Sequence, residues 1–167
     1  MANTYIPIDS YTVGAGGVSS VTFSSIPQTY TDLIVKISSR DTDSAGALVS
    51  VSFNGITSNL SSKRLRGSGS AASADSFASN IYIQGQANGY TANTFGNDEI
   101  YIPNYTSSNY KSLSSDGVSE NNAASAYMDL VAGLWSSTSA ITSITLTAAS
   151  PNFQQYSTFY LYGIKNS

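Results

Sequence analysis

The chain has 167 residues and a net charge of -3, and it contains neither cysteine nor histidine. These absences exclude disulfides, thiolate zinc sites and imidazole-activated nucleophiles, which removes most common catalytic centres. Only 10% of the residues are charged, against about 25% in an average domain, and the acidic balance argues against nucleic acid as a partner. The 12 Tyr and 6 Phe supply enough apolar surface for a folded core.

Short runs of alternating apolar and polar residues, typical of β-strands, recur along the whole chain. The predicted strands are residues 4–13, 18–24, 31–39, 48–53, 56–60, 81–83, 94–102, 110–119, 126–135, 141–147 and 157–164. Asn54 and Gly55 predict a tight hairpin in which 56–60 pairs back onto 48–53. Residues 141–147 are expected to pair with 126–135, and the last strand, apolar on both faces, is expected to be central.

Three segments interrupt this regular pattern. Ile26 and Pro27 separate two strands, because proline fixes φ and cannot donate a hydrogen bond to a sheet. We expect them to form a corner that Tyr30 closes by packing onto the sheet. Residues 61–79 are rich in Ser, Ala and Gly and predict an irregular excursion. Gly117 predicts a bulge within a single strand.

About ten short strands separated by turns indicate an all-β fold. We expect residues 1–167 to form a single antiparallel β-sandwich of the jelly-roll type, with the excursion at 61–79. An immunoglobulin-like sandwich is the alternative. The start of the chain has no basic and apolar leader, and no apolar run reaches the about 20 residues of a membrane span. We therefore expect a protein that is neither exported nor membrane-bound.

Six patterns distributed over nearly the whole chain carry a family resemblance. They are residues 21–33, 53–55, 99–104, 133–135, 141–146 and 161–164. Together they resemble a group of small virion-associated proteins of tailed bacteriophages, many of them from marine and cyanobacterial phages. The resemblance implies a β-sandwich that decorates or cements a capsid as a homotrimer, or that forms a fibre or tail-tip module. It transfers no functional residue.

Two sets of residues are candidates for docking to a partner. Three of the seven basic residues of the chain lie close together, namely Lys63, Arg64 and Arg66. Such a cluster pairs well with carboxylates of a shell protein or a neighbouring copy. The second set consists of tyrosines, whose rings bury area while their hydroxyls stay hydrated. These are Tyr82, Tyr90, Tyr101, Tyr105 and Tyr110.

Catalytic and metal sites find little support in the sequence. Asp98, Glu99, Glu120 and Asp129 could supply the two carboxylates of a glycosidase, but no spacing selects a pair, and adjacent strand residues point to opposite faces. Residues 41–46 match the first half of a calcium-binding loop, but Ala45 stands at a ligand position and has no side-chain oxygen. We expect no catalytic residue, metal or cofactor.

The sequence leads to two functional hypotheses. The first is a non-enzymatic virion structural protein, assembled in the host cytoplasm, that binds the major capsid protein or other virion proteins and stabilises the shell. The alternative is a carbohydrate-binding receptor module of a tail fibre or tail tip that recognises a host-surface glycan through its tyrosines and the loop at residues 85–93. A carboxylate-based glycosidase is a third and weaker hypothesis.

Overall fold

A computed structural model describes residues 4–44, 46–122, 126–149 and 151–165. Within these residues the chain forms strands joined by turns, and the prediction of an all-β fold is confirmed. The strands are β1 (Tyr5–Thr12), β2 (Ser20–Phe23), β3 (Asp32–Ser39), β4 (Leu48–Phe53), β5 (Leu60–Gly67), β6 (Ala72–Phe77), β7 (Ile81–Gln84), β8 (Gly96–Ile102), β9 (Lys111–Val118), β10 (Met128–Trp135), β11 (Ile144–Ala148) and β12 (Thr158–Ile164).

The strands form two antiparallel sheets of unequal width. The large sheet has the order β1-β12-β3-β8-β9-β10-β5-β6, and the small sheet has the order β2-β11-β4-β7. The pairs β2·β11, β3·β8, β4·β7 and β5·β6 alternate between the sheets, which is the wrapping expected for a jelly roll. The strands β9, β10, β12 and β1 widen the large sheet beyond this arrangement.

The hydrophobic core lies between the two sheets, where alternate residues of each strand meet. On β3, Leu33, Val35 and Ile37 face the small sheet and are buried. Trp135 at the end of β10 packs against Phe53 of β4, with ring centroids 5.5 Å apart. The small sheet thus covers the inner face of the large one, and the outer face of the large sheet remains uncovered by any described element.

The corner at Ile26 and Pro27 carries the chain from the small sheet to the large sheet. Ile26 is buried and its amide donates to the carbonyl of Thr142. The Pro27 carbonyl accepts a hydrogen bond from the hydroxyl of Tyr105, which is fully buried. Tyr30 packs its ring over Gly163 of β12. The corner therefore uses two tyrosines, one beneath the proline and one on the sheet.

Several predictions of strand pairing were wrong. Asn54 and Gly55 both adopt positive φ as a tight turn requires, but the chain then crosses to the large sheet, where β5 pairs with β10. Likewise β11 pairs with β2 and β4 rather than with β10. Residues 60–77 form the β5–β6 hairpin instead of an irregular excursion. The prediction that the last strand is central is confirmed by its pairing with β1 and β3.

The bulge predicted at Gly117 is also absent, since this residue pairs in regular register with both Asp98 and Asp129. A Cβ atom at this position would lie 2.0 Å from the Asp98 carboxyl oxygen. Glycine is therefore required here by the close approach of a side chain from the neighbouring strand, and not by an irregular backbone.

Replacing Gly163 by alanine tests how tightly the corner is packed. The new Cβ would lie 2.3 Å from the Tyr30 ring, so we expect a loss of about 1–3 kcal/mol in the free energy of unfolding, measured by urea titration. Gly67→Ala is the matched control, because it also lies in a strand and its Cβ would meet nothing within 4 Å. Equal stability of the two variants would show that Tyr30 does not pack firmly on β12.

Candidate functional site

An apolar groove lies on the outer face of the large sheet, across β9, β10, β5 and β6. The register places Leu130 directly opposite Leu65, and Met128 opposite Val118 in the next row. These four side chains are between 38% and 64% exposed. The groove encloses about 570 Å³, and Lys63, Ala74, Asp75 and Asp116 are among the residues that line it. Contiguous exposed apolar side chains of this kind are typical of a binding surface.

The groove exists because β10 is apolar on both of its faces. Val131 and Trp135 point into the core, so strand alternation turns Met128 and Leu130 outward. A strand with a single covered face normally carries polar residues on the other one. The sequence of β10 is therefore that of a strand covered on both sides.

Strand alternation also divides the basic run that the sequence marked for docking. Lys63 points outward at the rim of the groove, where its Nζ donates to the Ser76 hydroxyl at 2.7 Å. Arg64 and Arg66 point inward, and Arg64 is only 8% exposed. The expectation of a solvent-facing patch of three basic residues is thus corrected, since successive residues of a strand face opposite sides.

The two inward arginines share one buried carboxylate. Arg66 binds both oxygens of Asp129, at 2.8 and 2.9 Å, and Arg64 approaches the same carboxylate at 3.5 Å. Arg64 also donates to Asp75 of β6 at 2.6 and 3.0 Å. The network therefore ties β10, β5 and β6 together directly beneath the groove and fixes the strands that form it.

A second buried carboxyl group, Asp98, lies two strands from Asp129 in the same row of the large sheet. Burial, with smaller contributions from Asp129 and Asp116, raises the pKa of Asp98 well above its usual range. The Gln84 backbone amide offsets this effect only in part. Among the described residues, neither carboxyl oxygen of Asp98 has a hydrogen-bond partner of good geometry. Burial in this position therefore favours the neutral form of Asp98.

The tyrosines that the sequence marked for docking do not form one platform. Tyr105 is corrected to a core residue, because its side chain is fully buried under the proline corner. Tyr82 packs edge-on against Phe77, with ring centroids 5.1 Å apart. Tyr101 is half-buried on the outer face and donates to Asp32 at 2.9 Å. Tyr110 is 60% exposed directly before β9.

Tyr90 belongs to the loop at residues 85–93, which the guanidinium of Arg40 holds in place. Arg40 donates to the carbonyl oxygens of Asn88, Tyr90, Thr91 and Thr94 at distances between 2.8 and 3.0 Å. Arg40 is 5% exposed. The loop is therefore a fixed part of the fold and does not offer the open arrangement expected of a receptor loop.

The carboxylates considered for a glycosidase lie in different environments. Asp98 and Asp129 are each only 1% exposed, so a substrate has no access to either of them in this conformation. Glu99 points to the outer face and pairs with Lys36 at 2.5 Å, while Glu120 accepts from the amides of Asn121 and Asn122. Of these four groups, Asp98 and Asp129 form a buried pair, and no two of the four form a pair that a substrate could reach.

The segment that imitates a calcium loop is not arranged as one in its described part. Asp41 is buried, and its carboxylate accepts from the Asp43 amide at 2.9 Å in a short turn. Burial raises the pKa of Asp41 to about 6. Ala45 lies outside the described residues, and within those residues no group of three acidic side chains is placed to hold a metal ion.

Comparisons with known proteins leave the groove without an assigned role. No protein-family model, curated protein or solved structure gives a match to this chain. No helix that could span a lipid bilayer occurs among the described residues.

Replacing Asp98 by asparagine should stabilise the protein at neutral pH. Because the folded-state pKa lies above the unfolded-state value of about 3.8, the wild-type stability is fully present below pH 3.8 and falls as the pH rises. We expect the wild type and the Asp98→Asn variant to be equally stable near pH 3.5, and the variant to gain an advantage that grows towards pH 7. Urea titrations at several pH values measure this difference, in which the titration of Asp41 cancels.

Asp129→Asn serves as the opposite control. This substitution leaves Arg64 and Arg66 without their shared carboxylate, and breaking a buried pair typically costs about 3–5 kcal/mol. We therefore expect this variant to lose stability at pH 7. If the Asp98→Asn protein were less stable than the wild type at pH 7, Asp98 would have to be an ionised and stabilising group.

Proposed function

We propose that this protein is a non-enzymatic structural component of a bacteriophage particle, and that it binds the major capsid protein or another virion protein through the outer groove. It acts by covering and stabilising a junction between subunits of the shell. The observation that carries the proposal is the exposed pair Leu65 and Leu130, with Met128 in the next row, on strands that ion pairs tie together from beneath.

The chemistry of the groove favours a protein surface as its occupant. Its centre is aliphatic, and its rim carries both a cation, Lys63, and the carboxylate of Asp116. An apolar centre within a mixed polar rim is the usual composition of a protein interface. The groove of about 570 Å³ is large enough to receive several side chains of a partner.

Three further considerations favour a virion as the location. The first is the resemblance to small virion-associated proteins that we infer from the six sequence patterns. The chain lacks cysteine, so it has no thiols to oxidise once a particle leaves the cell. Its surface is rich in hydroxyl groups and poor in charge. A homotrimer is the assembly that the resemblance implies, and we include it in the proposal.

The test uses a phage whose genome encodes this chain. The gene is deleted, and the purified protein is added back to the particles that lack it. We expect wild-type protein to bind in many copies per particle, counted by quantitative mass spectrometry, and to raise the temperature at which the particles release DNA. Burying one leucine is worth about 1.5–3 kcal/mol, so Leu65→Ser or Leu130→Ser should weaken binding by at least tenfold.

Ile56→Ser is the matched control, because Ile56 is 41% exposed in a turn outside the groove. This variant should bind as the wild type does. The proposal fails if the Leu130→Ser protein binds with unchanged affinity, or if the protein does not occur in wild-type particles. A copy number of only a few per particle would contradict decoration of the shell and place the protein in the tail.

A further inference from the structure

A second groove lies at the opposite end of the outer face, where β12 meets the edge strand β1. It encloses about 510 Å³, a volume within the range of small-ligand sites. Its lining consists of Pro7, Ile8, Asp9, Ser10, Tyr160 and Tyr162. The groove thus combines two aromatic rings with a carboxylate and a hydroxyl group at its rim.

The two tyrosines form the aromatic part of the groove lining. Tyr160 and Tyr162 are alternate residues of one strand, so they share the outer face at a spacing of about 7 Å. Tyr160 is 40% exposed. Tyr5 packs edge-to-face against Tyr162, with ring centroids 6.4 Å apart and an interplanar angle of 74°. This contact restrains the Tyr162 ring before any ligand arrives, which lowers the entropic cost of binding.

An irregularity in β1 places polar groups beside these rings. The register with β12 shifts between Pro7 and Asp9, so that one extra residue is inserted. Ile8 turns inward and packs against the core, while Asp9 and Ser10 stay exposed at the rim of the groove. Bulges commonly re-aim side chains next to binding sites.

We propose that this groove binds a neutral oligosaccharide, with two sugar rings stacked on Tyr160 and Tyr162. A pyranose ring presents C–H groups on one face, which pack against an aromatic ring, and hydroxyl groups at its edge, which donate to a carboxylate. Asp9 is placed to accept such hydrogen bonds and retains acceptor capacity beside its bond to the Ser10 amide.

The charges around the groove select the class of sugar. The lining residues include an acidic group, Asp9, and no Lys or Arg, so an anionic glycan would meet repulsion without compensation. On the neighbouring strand β3, the cation Lys36 is paired with Glu99. A protein strand is a poor alternative occupant of the β1 edge, because Pro7 lacks an amide donor and the bulge disturbs pairing.

This site is separate from the apolar groove around Leu65 and Leu130, which we call the docking groove. One row of the outer face connects Tyr160, Lys36, Glu99, Asp116 and Leu130 on successive strands. Tyr160 is therefore four strand spacings, about 19 Å, from Leu130. The inference stands independently of the proposed function, since a virion component and an unrelated lectin could both carry this groove.

The test is a titration of ¹⁵N-labelled protein with cellohexaose, chitohexaose and laminarihexaose, followed by two-dimensional NMR. We expect at least one of these sugars to shift the amide signals of β1 and β12, with a dissociation constant in the millimolar range or below. Tyr160→Ala and Tyr162→Ala should each weaken binding at least tenfold, and Asp9→Ala severalfold. Tyr160→Trp should bind, unlike Tyr160→Ala, because tryptophan also presents an aromatic face.

Tyr110→Ala and Tyr156→Ala are the matched controls, since these residues are 60% and 69% exposed but lie outside the groove. Both should bind sugar as the wild type does, and so should the Leu130→Ser variant of the docking groove. The thermal unfolding midpoint of each variant shows whether it is folded. The inference is overturned if none of the three sugars at 10 mM (about the upper limit for specific weak binding) shifts the β1 and β12 signals, or if Tyr160→Ala binds unchanged.

Discussion

The structure of the outer groove depends on one buried carboxylate, Asp129, and the two arginines that share it. The β5–β6 hairpin consists largely of small and polar residues and buries little apolar surface of its own. A buried ion pair adds little net stability compared with apolar packing, but it is costly to break. Sliding β5 by one residue would turn Arg64 and Arg66 to solvent and leave Asp129 buried and unpaired. The ion pairs therefore specify the register of the hairpin.

This register determines what the protein presents to a partner. With Arg64 and Arg66 directed inward, Leu65 and Lys63 must face outward, and Leu65 meets Leu130 from the adjacent strand. Asp98 lies two strands from Asp129, and burial favours its neutral form; among the described residues the arginines bond to Asp129 and Asp75 and not to Asp98. The apolar outer surface and the charged inner surface are thus two consequences of the same strand alternation.

Much of the fold could be predicted from the sequence, because period-two alternation is a local signal. It located most strands, the turn at Asn54 and the corner at Pro27. It did not identify β6, whose Ser- and Ala-rich residues have low strand propensity, nor the choice of pairing partners, which depends on contacts distant in sequence. Only some of the predicted docking residues face solvent. Arg64 is enclosed by the sheet and Tyr105 by the corner, and neither enclosure is visible in the local sequence pattern. The alternation of Tyr160 and Tyr162 was visible, but the bulge in β1 that completes their groove was not.

The two-sheet architecture explains why both proposed binding surfaces lie on the outer face of the large sheet. The four-stranded sheet covers only the inner face of the eight-stranded sheet. Residues on the outer face must therefore be either hydrated or covered by another molecule. In the middle of this face the charged pair Lys36 and Glu99 makes hydration favourable. At the two ends the side chains change to aliphatic and to aromatic groups, which bind proteins and sugars by different contacts. Because about 19 Å of polar surface separates Tyr160 from Leu130, a sugar on Tyr160 would leave Leu130 accessible, and the two proposed sites together would connect a protein surface to a glycan.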